Sequence, residues 1–573
     1  MRRPSRAGLS LVFALCVNIP LAAQNLESLG KEKPFSFAGG LSINQIFYSS
    51  SGITSRRDPY RYFASGNANL SFFGWTIPLA FSVANKQTSF SQPFNQYSLH
   101  PTWKWITAHA GYTSMSFSPY TVNGHTFLGA GVDIAPQGKW KVSALYGRFL
   151  KAVEADTTHV PSPRPSFQRT GYALKATWGT GRNYVDVILF HAGDDLHSIR
   201  NLPDAPGITP EQNLVMSVGG GKTVFEHLFL KAELASSAIT KDIRAEKTTH
   251  THPLAKAGMF FQPTLSSSYY NAFKTSLDFQ QHAWVIGFAY ERIDPGYRTL
   301  GAYYFNNDLE NITINGSTGF LQGKLNVAAS GGLQHDNLGK TKISTLRRMV
   351  GSLNAHYTPT QRLNLSVSYS GFQTFTNIRS QFETINQLTP YENLDTLNFT
   401  QISRNASLSG MYLLAESENK KQSINFNLTW QEAADQQGGR EQASGTRFYN
   451  LNTAYTFNFV PENMTFAASI NGTLNAGALL HTKTWGPTAA ISRAFANRKI
   501  RTILSSSYNK TSGTGVPLAG TFNCRLNCAV AAGKKHHVTL GTVMIKRKSI
   551  TNSMKKNIVE FTGTLGYRYQ IGK

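Results

Sequence analysis

Histidines beside carboxylates, and one pair of thiols, are the residues in this chain whose types and spacing suggest chemistry. His191 precedes Asp194-Asp195, and His335 adjoins Asp336. Hydrolysis would need a serine nucleophile, or an acidic pair, beside a histidine that takes up its proton. Neither cluster carries a nucleophile at a fixed offset. Serine and asparagine are so common here that chance neighbours account for both, so no catalytic residue and no enzymatic activity is expected. An enzyme reading would put a lipid-modifying reaction on His191 and Asp195. Asp194-Asp195 as a calcium site would need six or more oxygens, and an isolated acidic pair reads first as a solvated loop.

Cys524 and Cys528 stand as C-x3-C in a Gly-rich stretch, with His536 and His537 following. In an oxidising compartment they are expected to close a small loop disulfide. Free thiols are the alternative, and zinc is a weaker one, because two thiols and one exposed histidine pair are a poor ligand set. No metal and no cofactor is expected.

The elements that would carry these residues are strands. From Ile558 to Ile571, Val559, Phe561, Gly563, Leu565, Tyr567, Tyr569 and Ile571 fall on one face, and Glu560, Thr562, Thr564, Arg568 and Gln570 on the other. Successive side chains of a strand point to opposite faces, so this is one greasy face and one wet face. The same alternation recurs through Trp75–Val83, Trp284–Tyr290, Leu363–Tyr369, Ile424–Trp430, Tyr449–Phe459 and Phe466–Leu474, and in Tyr97–Trp105 it is broken by Pro101.

At the start, Arg2, Arg3 and Arg6 precede an apolar Leu9–Leu21 and a small-residue Ala22-Ala23. That is the pattern of a secretory signal peptide over 1–23. Nowhere later do 18 apolar residues run together, so helical spans are absent and a membrane-embedded form has to be a barrel. The expected organisation is a signal peptide (1–23), a short periplasmic N-terminal segment (24–34) and a barrel (35–573). The fold class predicted is all-β, a single large antiparallel transmembrane β-barrel of about 20–26 strands with long extracellular loops. Phe73-Gly74-Trp75, Pro136–Lys139 and Gly179–Arg182 read as tight turns. Lys151–Arg169, Asp194–Gln212, Ser236–Ser268, Thr374–Asn398 and Ser506–Lys535 read as loops, with the third expected over the mouth.

The inner faces are mostly small and neutral: Asn364, Ser366, Ser368 and Ser370, then Ser423, Asn425, Asn427 and Thr429, then Thr465, Ser469, Asn471 and Thr473. Such a face suits a crowded or hydrated lumen. Alternation places Arg362 and Arg568 inward as lumen charges, with Glu560 as the acid that would neutralise them. The +25 of the chain, less three signal-peptide arginines, leaves +22, and from Asn463 to Lys573 there are 16 Lys or Arg against the single acid Glu560. Expected partners are outer-membrane lipid and lipopolysaccharide phosphates, a secreted surface protein or an anionic solute. Nucleic acid is not expected, since export removes the chain from it.

Strand-like alternation begins by Phe35, leaving no room upstream for the plug domain of an energised transporter. The leading expectation is therefore a passive channel or translocation conduit in the cell outer membrane, without energy coupling and favouring anions. Its rival is a non-conducting scaffold that anchors or assembles a surface protein or glycan.

Phe190–Asp195 (FHAGDD), Thr209–Val215 (TPEQNLV), Tyr290–Glu310 (YERIDPGYRTLGAYYFNNDLE) and Tyr391–Leu397 (YENLDTL) resemble uncharacterised outer-membrane β-barrel proteins of Bacteroidota. The resemblance implies a Gram-negative outer-membrane address and transfers no catalytic residue. Within the third run Asp294-Pro295-Gly296 is a turn signal, proline presetting the first corner and glycine relieving strain. An ordered element over the mouth is expected there.

Overall fold

The computed structural model describes residues 35–72, 75–85, 96–154, 165–200, 208–248, 253–256, 260–336, 338–340, 347–371, 402–433, 436–437, 440–441, 446–477, 481–514, 516–551 and 554–572. The expected signal peptide, the 24–34 segment and the Thr374–Asn398 loop lie outside them.

Each strand pairs antiparallel with its neighbour in the chain, from Phe35–Ser51 onwards. The last strand, Met554–Ile571, returns to pair with the first, from Gly39 opposite Ile571 to Ser51 opposite Val559. The sheet is thus a closed barrel of 26 spans. Gln96–Leu99 and Thr102–Trp103 are two halves of one span, interrupted at Pro101, and both pair with Trp75–Ala84. Proline has no amide hydrogen to give the ladder, which explains the break. Closure leaves no edge, so the backbone groups of the wall find partners without water.

The outer face is apolar and open to its surroundings. Ile470 is 65% exposed, Leu333 64% and Val218 55%. In water, so large an apolar belt would be costly; in hydrocarbon it is the favourable solvent-facing surface. Near the short-turn end, outward aromatics pair across strands. The rings of Trp75 and Trp103 stack at 5.5 Å, and those of Trp284 and Phe320 meet edge-on at 6.4 Å. Aromatic rings with a polar edge settle at such interfaces. The first and last strands both end on this side, and most of the longer connections lie at the other. By the general rule for these barrels the short-turn side is periplasmic.

Two loop assignments need correction. Ser506–Lys535 is not a loop. It belongs almost wholly to two long strands, Ile500–Gly513 and Val516–Ala532, joined by a short turn. Its glycines, asparagines and cysteines look loop-like, yet Asn523 and Asn527 suit the inner wall while Gly520, Cys524 and Cys528 lie on the outer face. The connection 241–266 does not cover the mouth either. Its Leu254 and Phe261 pack with Leu214 and Ala238, and Leu189, Phe260 and Tyr269 join them. All four wall residues project outward, so Leu254, Phe260 and Phe261 lie against the outside of the wall.

Candidate functional site

The lumen could act on something else, and three sectors of its lining stand out among the described residues. The first runs from Ile106–Ser116 to Trp284–Ile293. Near the loop end its inner face turns apolar, with Met115, Phe127, Phe149, Ile188, Phe190, Val215 and Ile239 in one buried cluster. The connection 294–308 lies on that cluster and contributes Leu300. It is pinned by backbone as well as side chains. Gly301 bridges in parallel to Val122, and its carbonyl accepts from Asn123 N at 3.0 Å. A Cβ on Gly301 would stand 2.6 Å from the Thr121 carbonyl, so only glycine allows this approach.

Asn213 is wholly buried and does most of the polar work there. Its amide nitrogen donates to Ser237 Oγ at 2.8 Å and to the Ala238 carbonyl at 2.9 Å, while its oxygen accepts from Leu300 N at 3.0 Å. Tyr297 donates to the Tyr120 carbonyl at 2.9 Å, and Tyr120 donates to Glu291 at 2.5 Å. Burial raises the pKa of both tyrosines above the ordinary phenol value, and the Glu291 charge adds to the effect for Tyr120. Both stay neutral donors through neutral pH. The run Tyr290–Glu310 therefore forms a fixed inward shoulder on one side of the mouth.

Several inward acids in this sector face basic side chains. Arg169 pairs with Asp194 at 2.7 Å and Glu211 at 2.9 Å, Lys175 with Asp186 at 3.2 Å, Lys274 with Glu291 at 3.6 Å, and His109 with Asp133 at 2.9 Å.

The second sector, from Leu309–Phe320 to His481–Phe495, is lined by amides and hydroxyls. Ser330 and Ser352 share a hydrogen bond at 2.7 Å, as do Ser368 and Ser407 at 2.6 Å. Asn452 donates to Asn471, which donates to Thr488 at 2.9 Å. A hollow of about 740 Å³ opens on this wall beside Ser317, Asn354, Ser366, Ser368 and Ser407. Neutral groups that bond sideways to one another leave a wettable surface without fixed charge.

The third sector comprises the last four strands, Ile500–Gly513, Val516–Ala532, His536–Thr551 and Met554–Ile571. Registers fix its inner face. Arg568 stands opposite Ser42 and His537, Arg547 opposite Thr521, Arg525 opposite Ser505 and Val543, and Arg501 opposite Ala529. Each of these four strands thus turns one arginine inward. None of the four makes an ion pair among the described residues. The acid of the sector, Glu560, is also inward and is occupied by the Tyr48 hydroxyl at 2.5 Å. The step from Arg501 to Arg525 to Arg547 is four residues per strand, about 14 Å each.

Other sequence-derived candidates fare less well. Arg362 lies in the turn before Leu363–Ser370, at the short-turn rim, and not on the inner wall, because the strand begins one residue later. Cys524 and Cys528 are free and sit on the same outward face of one strand. Four residues of strand separate them by about 13 Å, and a disulfide needs Cα atoms within about 7 Å, so the expected bridge is excluded. His191 and Asp194 point to opposite sides of the wall. His191 faces outward against Gln212 and Tyr172, while both Asp194 oxygens are taken by Arg169. Asp195 instead holds the next turn through His197 N at 3.0 Å. His335 contacts Glu310 at 3.0 Å. Among the described residues no three His, Cys, Asp or Glu side chains converge as metal ligands.

Arg525 was missed in the sequence because it falls in the stretch read as a loop, and Arg501 and Arg547 because they lie in flanking strands that the alternation had not marked. The signal was present as 16 cations against one acid. Register is what turns that surplus into a lining.

No protein-family model matches the chain, and no curated protein matches it. Solved structures do match in shape, at low similarity. The copper transporter OprC is 8% identical, with 94% of this chain and 81% of that one covered and a TM-score of 0.37. The ferric citrate transporter FecA is 10% identical, covering 94% and 79%, with a TM-score of 0.36. Pseudomonas aeruginosa OccD3 is 8% identical, covering 93% and 91%, with a TM-score of 0.31. At these scores the reading of the barrel rests on its own pairing and lining.

Proposed function

We propose that the protein is an outer-membrane β-barrel that acts as a passive channel or translocation conduit, favours anions and works without energy coupling or covalent chemistry. The observation that carries this is the asymmetry of the inner wall. On the shoulder sector Lys175 and Lys274 are paired with acids, whereas Arg501, Arg525, Arg547 and Arg568 face the lumen without an acid partner among the described residues. Unpaired charge of one sign on a low-dielectric wall focuses the field and raises the local concentration of counter-ions. The amide and hydroxyl sector keeps water in the path, and the shoulder at 294–308 narrows the mouth from one side.

Planar-bilayer recording of the purified barrel tests the reading. Discrete conductance steps are expected; a correctly folded barrel that gives none would remove it. The pinned loop and the segment lying on the outer wall favour a second reading, a scaffold that presents fixed surfaces to a secreted protein or glycan. Repeated purification from native membranes without a stoichiometric partner counts against that one.

A further inference from the structure

We infer that the outer face of the last strands carries a binding site for a phosphorylated lipid headgroup of the outer leaflet, built from Lys510, Lys546 and Lys548. Register puts the three together. Lys510 and Lys548 stand on either side of Gly520 in one cross-strand row, and Lys546 lies two residues nearer the barrel middle on the strand of Lys548. The outer lysines are therefore about 10 Å apart across two strand spacings, and Lys546 is about 7 Å from Lys548. Lysine arms of that reach can converge on one phosphate or a close pair.

Three observations make this more than a solvated rim. All three lysines are exposed and point outward, the parity opposite to that of inward Arg547. From Asn463 to the end the chain has one acid, Glu560, and that acid faces the lumen, so no carboxylate on these strands competes for them. Gly520 leaves bare backbone between the lysines, and the Tyr508 hydroxyl lies 2.9 Å from where its Cβ would be, adding a polar donor to the floor.

Height identifies the occupant. Directly below on the same face come Tyr508, Phe522, Met544, Phe561 and Leu526, with Trp485 opposite Lys510. Aromatics over an aliphatic wall mark the boundary between hydrocarbon and headgroups. Cations one step above that boundary meet lipid phosphates, while the wall beneath accepts acyl chains. A free phosphate would use only the first half of this arrangement. The site needs only the barrel and its bilayer, and it stands or falls apart from conduction.

The test is native mass spectrometry of the full-length barrel, purified in detergent and incubated with bis-phosphorylated lipid A. Wild type should retain that lipid, and K510Q/K546Q/K548Q should lose about a hundredfold in affinity, from about fivefold per juxtamembrane charge. K510R/K546R/K548R should keep it, which separates lost charge from lost fold. Lipid A stripped of both phosphates should bind as weakly to wild type as the intact lipid does to the glutamine variant. Equal retention by the glutamine variant, equal retention of the stripped lipid, or displacement by millimolar inorganic phosphate would each overturn the assignment.

Discussion

Asn213 shows how much one small side chain can hold. It ties two strands together and then receives Leu300, which is 87 residues away in sequence. Asn213→Ala leaves a buried amide hydrogen without an acceptor, a loss of about 1–3 kcal/mol in the loop's closed state. Hydrogen exchange should show residues 294–308 opening faster, with the barrel strands unchanged. Tyr120 and Tyr297 add a pH dependence. Their folded pKa values are raised, so their support is complete below the ordinary phenol value, about 10, and is lost as pH climbs through the raised one. Protection of the loop should therefore be flat through neutral pH and fall only in strong alkali, and Tyr297→Phe should weaken it at every pH below that fall. None of these partners could be matched from sequence alone. TPEQNLV and YERIDPGYRTLGAYYFNNDLE stand out as unusual runs, but their contact across the mouth exists only once the strands between them are paired.

Elements were more legible than residues. An outer face of Trp, Tyr, Phe, Leu and Ile cannot be mistaken when it alternates for ten residues, and every strand named from that pattern is present in the wall. The misses have separate causes. Val516–Ala532 carries Gly520, Asn523, Cys524, Asn527 and Cys528, residue types that otherwise mark turns. The connection 241–266 was placed over the mouth by its charge, whereas its apolar residues Leu254, Phe260 and Phe261 decide where it rests. The loop 294–308 makes the clearest prediction at this scale. Replacing residues 295–307 by a short Gly-Ser linker removes the shoulder while leaving the ladder between Trp284–Ile293 and Leu309–Phe320 intact. Single-channel conductance should rise with no loss of the folded barrel. Unchanged conductance would mean that the shoulder does not border the path.

For the whole molecule, closure is the fact on which the remainder depends. Pairing of Phe35–Ser51 with Met554–Ile571 joins the two ends of the described chain and forces each strand to choose one face for lipid and one for the lumen. The net charge of +25 was visible at once, yet composition cannot say which side of a wall a cation occupies. Closure sorts the basic C-terminal region into two groups, outward lysines at headgroup height and inward arginines along the lumen. On the proposed reading, the arginine sector gives an ion crossing the barrel a wall of positive charge. The most direct measurement is the reversal potential of single channels under a KCl gradient, for wild type and for R501E/R525E/R547E/R568E. Wild type should reverse on the chloride side of zero and the variant on the potassium side, with conductance retained in both. A wild-type channel reversing at zero or on the potassium side, or a variant that leaves the potential where it was, would contradict the account.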